Sequence, residues 1–114
     1  MSRTYFILAI ALFVAIPSLG EPVDHNRADD DDAGVLFTNG LAEASRGNFG
    51  AAGDLFLRAA DLGHADAAYH MGMYYEEGIG IGPSMVDAVE FYRIAADQGH
   101  EEANRAIERI YFPR

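Results

Sequence analysis

The segment Ala-Ala-Asp-Leu-Gly-His at residues 59–64 returns 36 positions later (59 to 95) as Ala-Ala-Asp-Gln-Gly-His at residues 95–100. The same offset relates other small and aromatic positions: Ala52 to Ala88, Phe56 to Tyr92, and Ala67 to Ala103. A period of this length is typical of proteins built from stacked supersecondary units. This internal repeat therefore decides the fold class.

The residues on either side of the repeated segment follow the helical period. Phe37, Gly40, Leu41 and Ala44 stand at i, i+3, i+4 and i+7, which places them on one face of a helix. Later stretches show the same spacing, and glycines near residues 47, 63, 78–82 and 99 separate them. Because no segment alternates between apolar and polar residues, the sequence predicts an all-α fold without a sheet.

The recurring residue types suit pairs of helices joined by turns. Small alanines let two helices approach closely, while an aromatic residue fills the space beside them. Gly63 and Gly99 can each end a helix in the left-handed conformation. A histidine follows each of these glycines, at positions 64 and 100, and we expect its side chain to bond the last carbonyl groups of the preceding helix.

Residues 67–103 resemble a Sel-one-like repeat, a relative of the tetratricopeptide repeat with a longer inner loop. The residues that carry the resemblance are Met71, Gly72, Tyr75, Gly78, Gly80, Ile81, Ala88, Phe91, Tyr92, Ala95, Ala96, Asp97, Gln98, Gly99, His100 and Ala103. Ser84 and Asp87 depart from the family pattern, which usually has aspartate and lysine there. Both lie at the surface-facing start of a helix, so the fold is not in doubt.

A second, shorter copy covers residues 33–64 and looks more like the plain tetratricopeptide spacing. Its matching residues are Gly40, Gly47, Phe49, Ala52, Phe56 and Ala59. The resemblance implies a short α-solenoid of antiparallel helix pairs, with about two repeats and a C-terminal capping helix from Glu101 to Tyr111. The charged outer face of that last helix suits a terminal cap.

The start of the chain has the layout of a secretory signal peptide. Arg3 is followed by an unbroken apolar run from Tyr5 to Ile16, and then by the small residues Ser18 and Gly20. The run is shorter than the about 18 to 20 apolar residues that a membrane span needs. We therefore expect a signal peptide at residues 1–20, an acidic disordered tail at residues 21–32 and a helical repeat domain at residues 33–114.

Composition limits the classes of partner and the cellular locations that we expect for this protein. The formal net charge of −10 would repel phosphate backbones, so we expect no nucleic-acid partner. The absence of cysteine excludes disulfides and a lipid-modified cysteine, so we expect no membrane insertion after signal cleavage. All eight basic residues are arginine, which is typical of a GC-rich coding sequence. Together with the signal peptide, this usage predicts a bacterial protein that is periplasmic or secreted.

The sequence predicts no catalytic residue, no metal site and no cofactor. Without cysteine or lysine there is no thiol nucleophile, and no Ser-x-x-Lys arrangement can form. His64 and His100 occupy equivalent turns, which favours a structural role over metal ligation. The aspartates at residues 29–32 lack the remaining ligands of a calcium loop. The glycine run at residues 78–82 lacks the basic residue and the preceding strand of a phosphate loop.

The resemblance also implies where a partner would bind, because the first helix of each pair lines the concave surface in such repeats. One helix turn per repeat offers two residues on the same face: Phe37 with Leu41, Tyr69 with Met73, and Arg105 with Arg109. Aromatic residues, methionine and arginine are enriched at protein interfaces. The alternative is that Phe37 and Leu41 are ordinary core residues.

The resemblance implies an exported protein–protein interaction module that binds a partner protein through this groove. A specialised version is a periplasmic inhibitor or immunity protein against a toxin, which small size and high acidity permit. The enzymatic alternative is a hydrolase, which needs a nucleophile or a metal in a polar cleft. The sequence offers neither, and the identity of the partner and the oligomeric state stay open.

Overall fold

Five α-helices follow one another in the computed structural model, which describes residues 32–114. They are α1 (Ala33–Ser45), α2 (Phe49–Asp61), α3 (Ala65–Glu77), α4 (Met85–Asp97) and α5 (Glu101–Tyr111). No strand occurs in this range, so the predicted all-α helical repeat is confirmed. The expected signal peptide at residues 1–20, and the acidic tail up to residue 31, lie outside the described residues. Asp32 is described, and its carboxylate caps α1 by accepting from the Gly34 and Val35 N–H groups at 2.8 and 3.2 Å.

The helices pack as two antiparallel pairs, α1 with α2 and α3 with α4, and α5 packs against the second pair. In each pair a glycine of the first helix lies directly under an aromatic ring of the second helix. A Cβ atom added at Gly40 would lie 2.6 Å from the Phe56 ring, and one added at Gly72 would overlap the Tyr92 ring. Both rings are completely buried, so the glycines set the closest approach within each pair.

The core is built mainly from alanine. Its buried residues are Leu36, Ala52, Phe56, Ala59, Ala60, Ala67, Ala68, Met71, Tyr74, Ala88, Tyr92, Ala95, Ala103 and Ala106. Phe56 and Tyr92 are its largest fully buried side chains. Six residues of the repeat motif lie in this core: Ala52, Phe56, Ala59, Ala88, Tyr92 and Ala95. Tyr75 is partly buried, and its ring stacks on Phe91 with centroids 5.6 Å apart.

The two pairs differ in the connection between their helices. Residues 46–48 join α1 to α2, whereas the longer loop at residues 78–84 joins α3 to α4. Gly78, at φ 73°, ends α3 in the left-handed conformation. A Cβ at Gly80 would lie 2.9 Å from the Phe49 backbone, so the longer loop packs onto the start of α2. Ser84 then caps α4 by accepting from the Asp87 N–H at 3.3 Å.

The turn after each second helix brings the chain directly into the next helix. Gly63 and Gly99 have φ angles of 91° and 90°, which confirms the predicted left-handed turn glycines. The Gly63 N–H donates to the Ala60 carbonyl at 2.9 Å, and the His64 N–H donates to the Ala59 carbonyl at 3.1 Å. These two backbone bonds close the last turn of α2.

The histidine side chains cap the helix that follows, and the expectation that they bond the preceding carbonyl groups is wrong. Nδ1 of His64 accepts from the Ala67 N–H at 3.2 Å, and Nδ1 of His100 accepts from the Ala103 N–H at 3.3 Å. The turn glycine reverses the chain within one residue, so the histidine already occupies the N-cap of α3 or α5.

In residues 32–114, none of the helices combines the length and the apolar character that crossing a membrane would require.

Candidate partner-binding groove

A groove of about 340 Å³ opens between α3 and α5, with α4 at its base. We call it the α3–α5 groove, and its lining residues are Tyr69, Met73, Glu76, Glu77, Tyr92, Glu102, Arg105, Ala106 and Arg109. It exists because the first helices of successive repeats lie side by side, as the resemblance implies.

The structure brings four of the six predicted groove residues together: Tyr69, Met73, Arg105 and Arg109. Phe37 does not line this groove. Its ring stacks on His64 at 4.5 Å and contacts Phe56 at 5.6 Å, so it packs against the core. Leu41 does not line the groove either, and it is 42% exposed. Of the two residues that could instead have been ordinary core residues, Phe37 packs against the core and Leu41 does not.

Tyr69 is fixed in place by two rings. It stacks on His100 with ring centroids 4.6 Å apart and an angle of 23°, and it lies 5.7 Å from Tyr92. Met73 follows one helical turn later and is also partly buried. Together the two residues form an apolar floor, and ring contacts with His100 and Tyr92 hold its Tyr69 part in place.

A carboxylate that the sequence analysis missed connects three helices in the groove. Glu76 of α3 is paired with Arg109 of α5, with Nη1 to Oε1 at 2.7 Å and Nη2 to Oε2 at 2.9 Å. The Tyr92 hydroxyl of α4 donates to Glu76 Oε2 at 2.6 Å. Arg109 is therefore held by an internal partner, while its side chain stays 60% exposed.

These bonds shift the pKa values of Glu76 and Tyr92. The hydrogen bond from Arg109 lowers the pKa of Glu76 below its ordinary value of 4.5, and the Tyr92 bond adds to this against the opposing effect of burial. Burial and the bond to Glu76 raise the pKa of Tyr92. Glu76 is therefore ionised and Tyr92 protonated near neutral pH. A signal for Glu76 was present in the sequence, because residues 69, 73 and 76 share one helix face.

His100 closes the groove at the start of α5. Its Nε2 atom lies 2.8 Å from Asp66 Oδ1, and its Nδ1 atom lies 3.5 Å from a Glu102 oxygen. Because Nδ1 accepts from the Ala103 N–H, it carries no proton, and Nε2–H donates to Asp66. In this arrangement Nδ1 accepts from the backbone and offers no proton to Glu102.

The remaining charged residues of the groove differ in how they are paired. Arg105 contacts Glu101 at 3.4 Å, with both side chains more than two-thirds exposed. The Glu77 side chain makes no hydrogen bond or ion pair with any other residue of the 32–114 range. The described residues also contain no group of three or more metal-ligating side chains placed to hold an ion.

Comparison with known proteins identifies the class of this helical repeat protein. The model of the Sel1 repeat matches residues 32–64 and 65–100, and the chain belongs to the Sel1 repeat family. The resemblance noted from the sequence is thus confirmed, and the two matched units coincide with the pairs α1–α2 and α3–α4. Sel1 repeat proteins are generally protein-interaction modules, and their fold is typically a non-catalytic scaffold that binds protein partners.

Two individual proteins show the likeness. The crystal structure of a Sel1 repeat protein from Oxalobacter formigenes superposes with a TM-score of 0.71 at 26% identity, over 91% of this chain and 45% of that one. The "DAP3-binding cell death enhancer 1" of Rattus norvegicus is 39% identical over 56 residues, which are 49% of this chain and 11% of the rat protein. The chain thus spans less than half the length of either relative.

Proposed function

We propose that the protein is an exported interaction module that binds a segment of a partner protein in the α3–α5 groove. The observation that carries this proposal is the apolar floor of Tyr69 and Met73 between charged rims, in which Tyr69 is held by its stack on His100. A preorganised floor lowers the entropic cost of ordering side chains on binding. The family's general role in protein interaction supports the same conclusion.

Export is part of the proposal and rests on the sequence alone. The apolar run from Tyr5 to Ile16, after Arg3 and before small residues, is the support for a signal peptide and for a periplasmic or secreted location. Mass spectrometry of the protein from its native envelope fraction would detect a new N-terminus near residue 21. Retention of residues 1–20 in the exported fraction would contradict cleavage at that point.

Site-specific photocrosslinking tests the groove. A photoreactive amino acid at position 105, where the arginine side chain is 71% exposed, should capture a discrete partner in the native extracytoplasmic fraction. The matched control is the same substitution at Arg46, which is 66% exposed at the α1–α2 turn. Capture from position 105 but not from position 46 would support the groove. Equal capture from both positions, or from neither, would contradict it.

A second variant links capture to the apolar floor. Met73→Ala should lower the crosslinking yield at position 105, because it removes apolar contact area from the groove. Tyr69 is a poor choice for this purpose, since its ring also supports Tyr92 and His100. Helical circular dichroism of the Met73→Ala protein should equal that of the parent. An unchanged yield would show that the floor takes no part in binding.

A further inference from the structure

The charges of the α3–α5 groove can be separated into paired and unpaired groups. Glu76 is matched by Arg109 at 2.7 Å, and Arg105 is matched by Glu101 at 3.4 Å. The Glu77 carboxylate has no polar partner among residues 32–114.

Glu102 is the other carboxylate without compensation. Its nearest basic group is Nδ1 of His100 at 3.5 Å, and that nitrogen accepts the Ala103 N–H and carries no proton. The two uncompensated charges of the groove lining are therefore both negative.

These two carboxylates lie at opposite ends of the groove floor. Glu102 is in the first turn of α5, beside the His100 ring that stacks on Tyr69. Glu77 is the last residue of α3. From position 69 to position 77 an α-helix rises about 12 Å, which about four residues of an extended chain span. The apolar floor and Arg105 lie between the two ends.

We propose that the groove binds an extended segment of a partner protein that carries two basic residues about four positions apart with an apolar residue between them. The cations pair with Glu102 and Glu77, and the apolar side chain packs on Met73 and Tyr69. Charge complementarity across an interface favours this partner and disfavours acidic segments, because like charges brought together are unfavourable. The positive charge of Arg105 disfavours a third cation in the middle. This inference rests on the function proposed above.

Three synthetic peptides test the proposal against the purified full-length protein. The first has the core lysine-alanine-leucine-alanine-lysine, and in the others glutamine or glutamate replaces both lysines. Amide NMR shifts at Tyr69, Met73 and Arg105 report binding in the groove, and fluorescence anisotropy gives the affinity. We expect the lysine peptide to bind at least about tenfold more tightly than the glutamine peptide, and the glutamate peptide not to bind.

Charge variants connect this preference to the two carboxylates. Glu77→Gln with Glu102→Gln should weaken binding of the lysine peptide about tenfold and remove its preference over the glutamine peptide. Asp54→Asn with Glu90→Gln changes the net charge equally at exposed positions outside the groove, and it should leave the affinity within about twofold.

Equal binding of the lysine and glutamine peptides in the groove would overturn the basic-segment proposal and leave the interaction function intact. So would a lysine-peptide affinity that is unchanged in the Glu77 and Glu102 double variant. Failure of all three peptides to shift groove amides would also overturn it. The interaction function itself is decided separately, by crosslinking from position 105.

Discussion

Glu76 and Arg109, which are 33 positions apart, form a two-pronged ion pair that joins α3 to α5 at 2.7 and 2.9 Å. The Glu76 side chain is only 15% exposed, whereas the Arg109 side chain is 60% exposed. The pair thus connects the C-terminal helix α5 to the second repeat, and Glu76 of α3 is its more buried member. Acid protonates the Glu76 carboxylate, so the contribution of the pair to the free energy of unfolding can be measured as a function of pH.

Glu76→Gln should lower the free energy of unfolding by only about 1 kcal/mol at neutral pH, because Arg109 is largely exposed and water screens its attraction to the carboxylate. The lowered pKa of Glu76 means that its contribution is fully present above the ordinary value of 4.5 and is lost as the pH falls through the folded-state pKa. Urea unfolding at several pH values should therefore show the wild type and the variant converging at acid pH. A difference that stays constant down to about pH 3 would contradict this assignment.

Tyr92→Phe removes the hydroxyl that donates to Glu76 and keeps the ring against Gly72. The partner carboxylate loses a charge-assisted hydrogen bond of 2.6 Å, so we expect a loss of about 1.5 kcal/mol in unfolding free energy. A double-mutant cycle with Glu76→Gln should return a coupling energy well above zero. Additive effects of the two substitutions would show that the bond contributes nothing.

Gly72→Ala should be strongly destabilising, because the new methyl group would overlap the Tyr92 ring, which is 1% exposed and cannot move into solvent. We expect a loss of about 2 to 3 kcal/mol, measured by urea unfolding.

The matched control for that substitution is Gly50→Ala, since Gly50 is also helical but has open space where its Cβ would lie. Alanine there should leave stability unchanged or raise it by up to about 1 kcal/mol. Similar losses at both positions would contradict the role of the close approach to Tyr92, because alanine has the higher helix propensity and Gly50 has no neighbour to clash with.

His100→Ala should cost about 1 kcal/mol more than His100→Asn, because asparagine still offers an acceptor to the Ala103 N–H and alanine does not. Both variants lose the stacking on Tyr69, so their difference isolates the cap. Thermal unfolding of the two proteins at the same pH measures it. Equal melting temperatures would show that the Nδ1 bond is energetically neutral.

The order and packing of the helices could be predicted because each depends on local sequence and on the repeat. The small residues at positions 40 and 72, and the aromatic residues at positions 56 and 92, are in the sequence at their repeat spacing, and they meet as the repeat requires. The turn glycines could be predicted for the same reason, since the left-handed conformation is a local property.

The groove could be predicted only in part, because it forms between repeats. Which face of α3 approaches α5 depends on the angle between successive helix pairs, and periodicity does not encode that angle. The pairing of Arg109 with Glu76 and the stacking of Phe37 on His64 both depend on it. The role of His64 was misjudged because a residue between two helices is adjacent to both, and spacing alone does not say which helix its side chain caps.

His64 touches three helices at once. Its backbone N–H ends α2 at the Ala59 carbonyl, its Nδ1 begins α3 at the Ala67 N–H, and its ring lies against Phe37 of α1. Separating the first repeat from the second must therefore break a helix end, a helix start and a ring stack in a single event. In a linear array whose units contact only their neighbours, such a shared residue raises the coupling between units relative to their individual stabilities. The two repeats should accordingly melt together as one cooperative unit, and the most protected amides on either side of residue 64 should report the same free energy of opening in hydrogen exchange.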